Sequence, residues 1–367
     1  MKVCLSRRWR PAVAALLALT VGAAHAELRL VRVLPEQVQA IADPRGWHLN
    51  FDVIVENTRA APVTIDYLEL EAFDAEGRLV TRRHLGAGGE PSAIAMVPER
   101  VVPGLGRLHL FNPFEVLPAD LAFTSLRLGL YHAGGRLQVP ITPRMEPPMV
   151  LPVLPMGGDL FVESGSDLAA PHRRASLVSD RQAVPGRRGN AQRYALDLTL
   201  IDDGGSYRGG ARETPENWFA WGHEVRAPVA GRVVAVRDGI ADNQLLAGGG
   251  VEFAAIAGED PLGGQFGNHV VVELAPDVHL LLAHLRQGSV AVAVGDRLWA
   301  GALVGRVGLS GRATYPHLHV QLQRGDDPLD AEPLPLVFAC VEDLGGGRRR
   351  PAWLATGDRI GPCVIGR

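Results

Sequence analysis

Tyr315-Pro316-His317-Leu318-His319-Val320 sets two imidazoles two residues apart in a β-forming context. On a strand, residues i and i+2 project to the same face, so His317 and His319 aim at one locus. Neutral imidazole ligates zinc, and it also serves as an acid or base near pH 7. Upstream, Leu281-Leu282-Ala283-His284-Leu285 closes an apolar run with a third histidine. Between the two lie Val290-Ala291-Val292-Ala293-Val294-Gly295-Asp296, Leu298-Trp299-Ala300-Gly301-Ala302-Leu303-Val304-Gly305 and Val307-Gly308-Leu309-Ser310-Gly311. Short apolar runs cut by glycine are the pattern of brief strands joined by tight turns. Strands are predicted over 225–236, 269–274, 279–285, 290–294 and 318–322.

Composition agrees with that pattern. The chain has 367 residues, 47% of them apolar, with 43 Gly and 27 Pro, so long helices are disfavoured and turn-rich β structure is expected. The length suits two or three domains. A formal charge of −3 from 37 basic and 40 acidic side chains excludes a nucleic-acid binder of the usual clustered-basic kind. The apolar content excludes a disordered chain.

Lys2, Arg7, Arg8 and Arg10 precede an apolar run from Pro11 to Ala23, and Ala24-His25-Ala26 offers a small-residue cleavage site. Residues 1–26 therefore read as a secretory signal peptide, and the run is too short to span a bilayer. Export across the inner membrane to the periplasm or the exterior is expected, with no transmembrane segment after cleavage. Cys4 would leave with the signal. Cys340 and Cys363 would remain in an oxidising compartment, either as free thiols or as a disulfide around Arg348-Arg349-Arg350; a loop of that size stabilises by roughly 3 kcal/mol.

Residues 27–145 alternate apolar and polar side chains, as in Leu49-Asn50-Phe51-Asp52-Val53-Ile54-Val55, and predict an immunoglobulin-like β-sandwich. His48, His84, His109 and His132 show no ligand spacing there. Six prolines from Pro140 to Pro155 predict an extended connector, placed at 146–156. Residues 157–335 form the second domain, and 336–367 a C-terminal extension.

The segment from His284 to His319, with Ala227-Pro228-Val229-Ala230-Gly231-Arg232-Val233-Val234 and Asp238-Gly239 before it, resembles the lysostaphin-type (LytM-type, M23) zinc endopeptidases of bacterial cell walls. The resemblance covers about residues 190–330. It implies an antiparallel β-sheet peptidase domain with an open groove and a zinc ion. It also implies peptidoglycan peptide stems as substrate. The family holds zinc with the His and Asp of an H-x-x-x-D motif and the second His of H-x-H; Asp197 and His319 fill two of these places. His284 and His317 match the two histidines that flank the catalytic water.

The position four before Asp197 is Arg193, and a guanidinium has no lone pair to give a metal. Two readings follow. In one, His172 of Pro171-His172-Arg173-Arg174 supplies the third ligand, with Asn190 as a weaker candidate. Arg193 then shares a strand face with Asp197, pairing with it or binding a substrate carboxylate. In the other, the site is degenerate and the chain acts as an activator or scaffold for other cell-wall enzymes. Retention of Asp197, His284, His317 and His319 favours the enzyme. His269 is a candidate groove contact for substrate, Trp218 and Trp221 candidate groove walls, and His223 and His279 surface residues.

Overall fold

The structure is a computed structural model that describes residues 27–145, 147–174, 189–256, 258 and 260–363. The leader expected over 1–26, Cys4 included, lies outside the described residues. As the glycine and proline content predicts, the chain is nearly all β. Among the described residues the one α-helix is Pro261–Phe266, and no helix is long and apolar enough to cross a membrane.

In the N-terminal half, strands Leu28–Leu34, Asp52–Asn57 and Arg107–Phe111 make one antiparallel sheet. Gly135–Ile141, Ser125–His132, Tyr67–Phe73 and Leu79–Leu85 make a second. Val53, Val55, Leu68, Leu70, Leu128 and Leu130 belong to one buried core shared by both sheets. Period-two alternation puts Asp52 on the face of its strand opposite Val53, and there it is fully buried against the second half of the chain.

The second half is built on one 12-stranded sheet. Its middle runs in the order Leu160–Ser164, Leu196–Leu200, Leu318–Arg324, Val278–Leu285, Asn268–Ala275, Gly231–Arg237. Leu196, Leu198, Leu280, Leu282, Leu318 and Val320 pack into the main core from one face. The opposite face carries Asp197, His319 and Gln321, with Phe266, Val271, Leu281 and Ala283 as a second apolar layer beside them. Both faces are covered, so strand Leu318–Arg324 is buried along nearly its whole length despite two glutamines and a histidine.

Two strand expectations need correction. Residues 225–236 form two strands, Glu224–Arg226 and Gly231–Arg237, because Pro228 cannot donate to a ladder. Residues 290–294 form no strand; β-branched composition alone is no ladder when the segment lies at the surface. The stretch from residue 336 supplies strands Leu336–Asp343, Arg349–Ala352 and Arg359–Pro362 to the same sheet. Part of the proline-rich connector joins it too, since Met149–Leu151 pairs in parallel with Leu336–Asp343. Cys340 and Cys363 are disulfide-bonded, with Cα atoms 5.8 Å apart.

Candidate metal centre

Asp197 and His319 are direct cross-strand partners, and Ala283 is the partner of His319 on its other side. Neighbouring strands thus deliver Asp197, His319 and, one residue past Ala283, His284 to one end of the sheet. His172 arrives from a turn over residues 171–174. One ligand atom each from His172, Asp197 and His319 lies within 4.8 Å of the others. His172 Nε2 is 2.9 Å from Asp197 Oδ2, and His319 Nδ1 is 3.0 Å from Asp197 Oδ1. Burial opposes ionisation of Asp197, but the imidazoles of His172 and His317 outweigh it and hold the carboxyl well below the usual range.

The protonation of His319 follows from its neighbours. Gln321 Nε2 donates to Pro328 O at 3.0 Å and to Gln323 Oε1 at 2.7 Å, and Gln323 Nε2 donates to Gly325 O at 3.0 Å. Backbone carbonyls only accept, so both amide orientations are fixed. Gln321 Oε1 therefore faces His319 Nε2, at 3.3 Å, as an acceptor, and the ring proton is on Nε2. Burial and the nearby His172 charge keep His319 below its ordinary value, so the ring is neutral and Nδ1 carries a lone pair. A bare nitrogen then faces a carboxylate oxygen at 3.0 Å. Two acceptors at that distance repel unless a cation lies between them, and a second ligand whose outer nitrogen donates to a fixed acceptor is the usual dress of a metal-binding histidine. The donor set fits zinc.

His284, next to last in its strand, has φ at +63°, a conformation a non-glycine residue adopts only where the surroundings impose it. Its Nδ1–H donates to Ser310 O at 2.8 Å, leaving Nε2 bare. Ser310 is itself fixed, since its hydroxyl donates to Leu285 O at 2.8 Å and accepts from Asn268 N at 2.9 Å. That loop lies so close to Gly267 that a Cβ on Gly311 would meet Gly267 N at 2.3 Å. Burial, and then His317 and His319, keep His284 well below the ordinary histidine value, so it is neutral. His317 differs. Its Nδ1–H donates to Tyr315 O at 2.8 Å, its Nε2 is 3.5 Å from Asp197 Oδ1, and Asp197 raises it against the opposing effect of burial. The ring centroids of His284 and His317 are 4.8 Å apart.

The structure thus brings His172, Asp197, His284, His317 and His319 together. Arg193 is not with them, which corrects both roles expected of it. It lies in a turn before strand Leu196–Leu200, not on the strand, and its guanidinium is buried against Asp52 at 2.6 Å and Asn50 at 2.9 Å. It neither pairs with Asp197 nor stays free for a substrate carboxylate. Asn190 donates to His172 O at 2.7 Å and so holds the backbone of that turn. His269 donates through Nδ1 to Gly267 O and rests against Phe266, which separates it from His319. His279 is buried, not exposed. Trp218 stacks on Tyr315 at 6.2 Å, and the Tyr315 ring lies tilted against His317 at 4.6 Å, so one of the two expected tryptophans adjoins the centre.

Gln321, Gln323, Ser310 and Glu163 were not singled out in the sequence. The glutamines carried a signal, being on the same strand face as His319 by period two. Glu163 sits at an irregularity in the pairing with strand Leu196–Leu200; burial, with Asp197 adding, pushes its carboxyl up against the effect of His317.

Residues 219–331 match the family model of peptidase family M23, a span that includes His284, His317 and His319 and begins after Asp197. No curated protein matches the chain. Solved structures similar to it include the catalytic domain of lysostaphin from Staphylococcus simulans, 21% identical over 40% of this chain and 79% of that one, with a TM-score of 0.24. The A109H catalytic domain of the prophage-encoded M23 protein EnpA from Enterococcus faecalis is 20% identical over 40% and 78%, TM-score 0.24. A putative peptidase M23 from Pseudomonas aeruginosa is 14% identical over 76% and 92%, TM-score 0.28. The match to peptidase family M23 thus spans residues 219–331, on the sheet that carries the histidine cluster.

Proposed function

We propose that the chain is an exported zinc metalloendopeptidase that hydrolyses peptide cross-links of peptidoglycan. His172, Asp197 and His319 hold the metal. One observation supports this most: three donors from distant parts of the chain converge within 4.8 Å, with the lone pair of His319 aimed at a carboxylate. A zinc ion held by these two imidazoles and the carboxylate would supply Lewis acidity toward a peptide carbonyl and toward water.

The chain's own residues supply the proton transfers. His284 is neutral and bare at Nε2, so it takes a proton from the attacking water. His317 Nε2 faces Asp197, which favours its charged form, and it stabilises the developing negative charge and returns a proton to the leaving amine. The Ser310 and Tyr315 carbonyls fix both rings by accepting from Nδ1–H.

The degenerate-scaffold reading was motivated by Arg193. With Arg193 held by Asp52 and His172 beside Asp197, that motive weakens. The test is zinc content by elemental analysis of protein from Glu27 onward, together with release of peptide fragments from purified cell walls. Near-stoichiometric zinc, lost in His172→Ala and His319→Ala, supports the enzyme. Wild-type protein that takes up no zinc and releases nothing overturns it in favour of a partner-binding role.

A further inference from the structure

His172 is followed by two arginines, and both leave the metal centre for the N-terminal half. Arg173 is fully buried, with Nη2 2.9 Å from Asp52 Oδ1 and Nη1 2.6 Å from Glu115 Oε1. The same Nη2 donates to the carbonyls of Phe51 and Asn112 at 3.2 and 3.1 Å. Arg174 lies over the ring of Phe111 at 4.9 Å. From the other side of the centre, Arg193 reaches the second oxygen of Asp52 at 2.6 Å, and Tyr194 Oη donates to Asn50 O at 3.2 Å. Asp52 therefore ties together the two turns that precede and carry the metal-binding residues on the His172 and Asp197 sides.

A buried ion pair is a weak source of stability, because desolvation offsets the attraction. What such a pair does well is fix geometry, since removing one partner strands a buried charge. The turn over residues 171–174 forms no strand with the sheet. Hydrogen bonding fixes its backbone through Asn190, and the arginines fix it through the N-terminal half.

We propose that the N-terminal half is a structural part of the metal centre: Asp52, with Glu115, acts through Arg173 as a positioning group that holds His172 in the coordination sphere. This rests on the zinc reading above. It gives the arginines of the His172-Arg173-Arg174 motif and the Arg193 substitution a single explanation. Arg193 is a cross-domain anchor, and the third ligand is brought in by the neighbouring anchor.

The test uses the full chain from Glu27, loaded with cobalt(II) for its ligand-field spectrum and with zinc for affinity by chelator competition, at pH 8. The variants are Asp52→Asn, Arg173→Gln, Glu115→Gln and His172→Ala. Asp52→Asn and Arg173→Gln are expected to lower zinc affinity about tenfold or more, the scale of an outer-shell loss, and to shift the cobalt spectrum to that of His172→Ala. A folded Asp52→Asn or Arg173→Gln with the wild-type spectrum and affinity overturns the inference. Should both fail to fold, Glu115→Gln decides, because that side chain is partly exposed and touches Arg173 at one atom; a wild-type spectrum there overturns it as well. A wild type without zinc, or His172→Ala with an unaltered spectrum, sinks the ligand set itself, a distinguishable failure.

Discussion

Gln321 Nε2 donates to Pro328 O at 3.0 Å, and this bond decides which nitrogen of His319 is bare. With its amide hydrogens spent on Pro328 and Gln323, Gln321 can offer His319 only an acceptor. Gln321→Leu removes that acceptor and frees His319 to place its proton on Nδ1, where the metal should be. Zinc affinity should fall about 10- to 100-fold by chelator competition. The carbonyl of Pro328 is left unpaired, costing about 1–3 kcal/mol in denaturant unfolding. Unchanged affinity would show that the relay does not set the tautomer.

His284→Ala and His319→Ala should separate chemistry from metal binding. His284 contacts Ser310 and the ring of His317, not the Asp197 oxygens, so its loss should leave zinc content intact. Turnover on cell-wall peptides should drop about 10²- to 10⁴-fold, the contribution of a general base. His319→Ala should lose both. Zinc lost from His284→Ala would put that residue among the ligands and require a new base.

Gly311 has φ at +70°, and an added Cβ would meet Gly267 N at 2.3 Å. The atoms it meets belong to backbone, so they cannot swing aside. Gly311→Ala should therefore destabilise by about 1–3 kcal/mol from the backbone conformation alone, with more from the clash. The same shift moves Ser310 O, the acceptor that orients His284. Activity should fall at temperatures where the variant is still folded by circular dichroism; full activity in the folded variant would show that Ser310 does not aim the ring.

His319 was legible because strand geometry is periodic, and Asp197 lies opposite it in the ladder; His317, read as a strand residue, instead lies just before the strand that begins at Leu318. The ends of strands were less legible. Residues 290–294 look like a strand by composition, yet their pairing depends on neighbours that no local window contains. Arg193 misled for a related reason. Its position four before Asp197 suggested a shared strand face, but the strand begins only at Leu196, and the carboxylate that holds Arg193 lies 141 residues away, on a strand of the other half. Long-range charge pairing leaves no spacing signal in one sequence. The His172 turn was flagged by its His-Arg-Arg motif, whereas the destination of the two arginines needed the assembled fold.

Cys340 and Cys363 close a loop with a sequence separation of 23, tying strand Leu336–Asp343 to the segment after Arg359–Pro362. Cys340→Ser/Cys363→Ser should lower stability by about 3 kcal/mol, from the added freedom of the unfolded chain. Strand Leu160–Ser164 separates these strands from Leu196–Leu200, which carries Asp197, so zinc affinity should stay at the wild-type level. A reduced affinity in the double variant would reveal coupling between this edge and the metal centre.

Acid should weaken the contact between the two halves before it reaches the cores. Asp43, nearly inaccessible, lies 2.8 Å from His48 Nε2 and 3.1 Å from Arg45 Nε; Arg45 also pairs with Asp358 of the second half. Burial raises the Asp43 carboxyl, but the His48 hydrogen bond and charge, with Arg45, bring it down to about 2 from 3.8. A carboxyl depressed on folding binds more protons when unfolded, so its contribution is complete above about pH 4 and is lost as pH falls toward 2. The shift corresponds to about 2 kcal/mol. Urea unfolding from pH 6 to pH 2 should show that loss in the wild type and a shallower acid limb in Asp43→Asn, with the variant already weaker at pH 6. Identical acid limbs in the two proteins would mean that Asp43 is not the group through which acid loosens the halves.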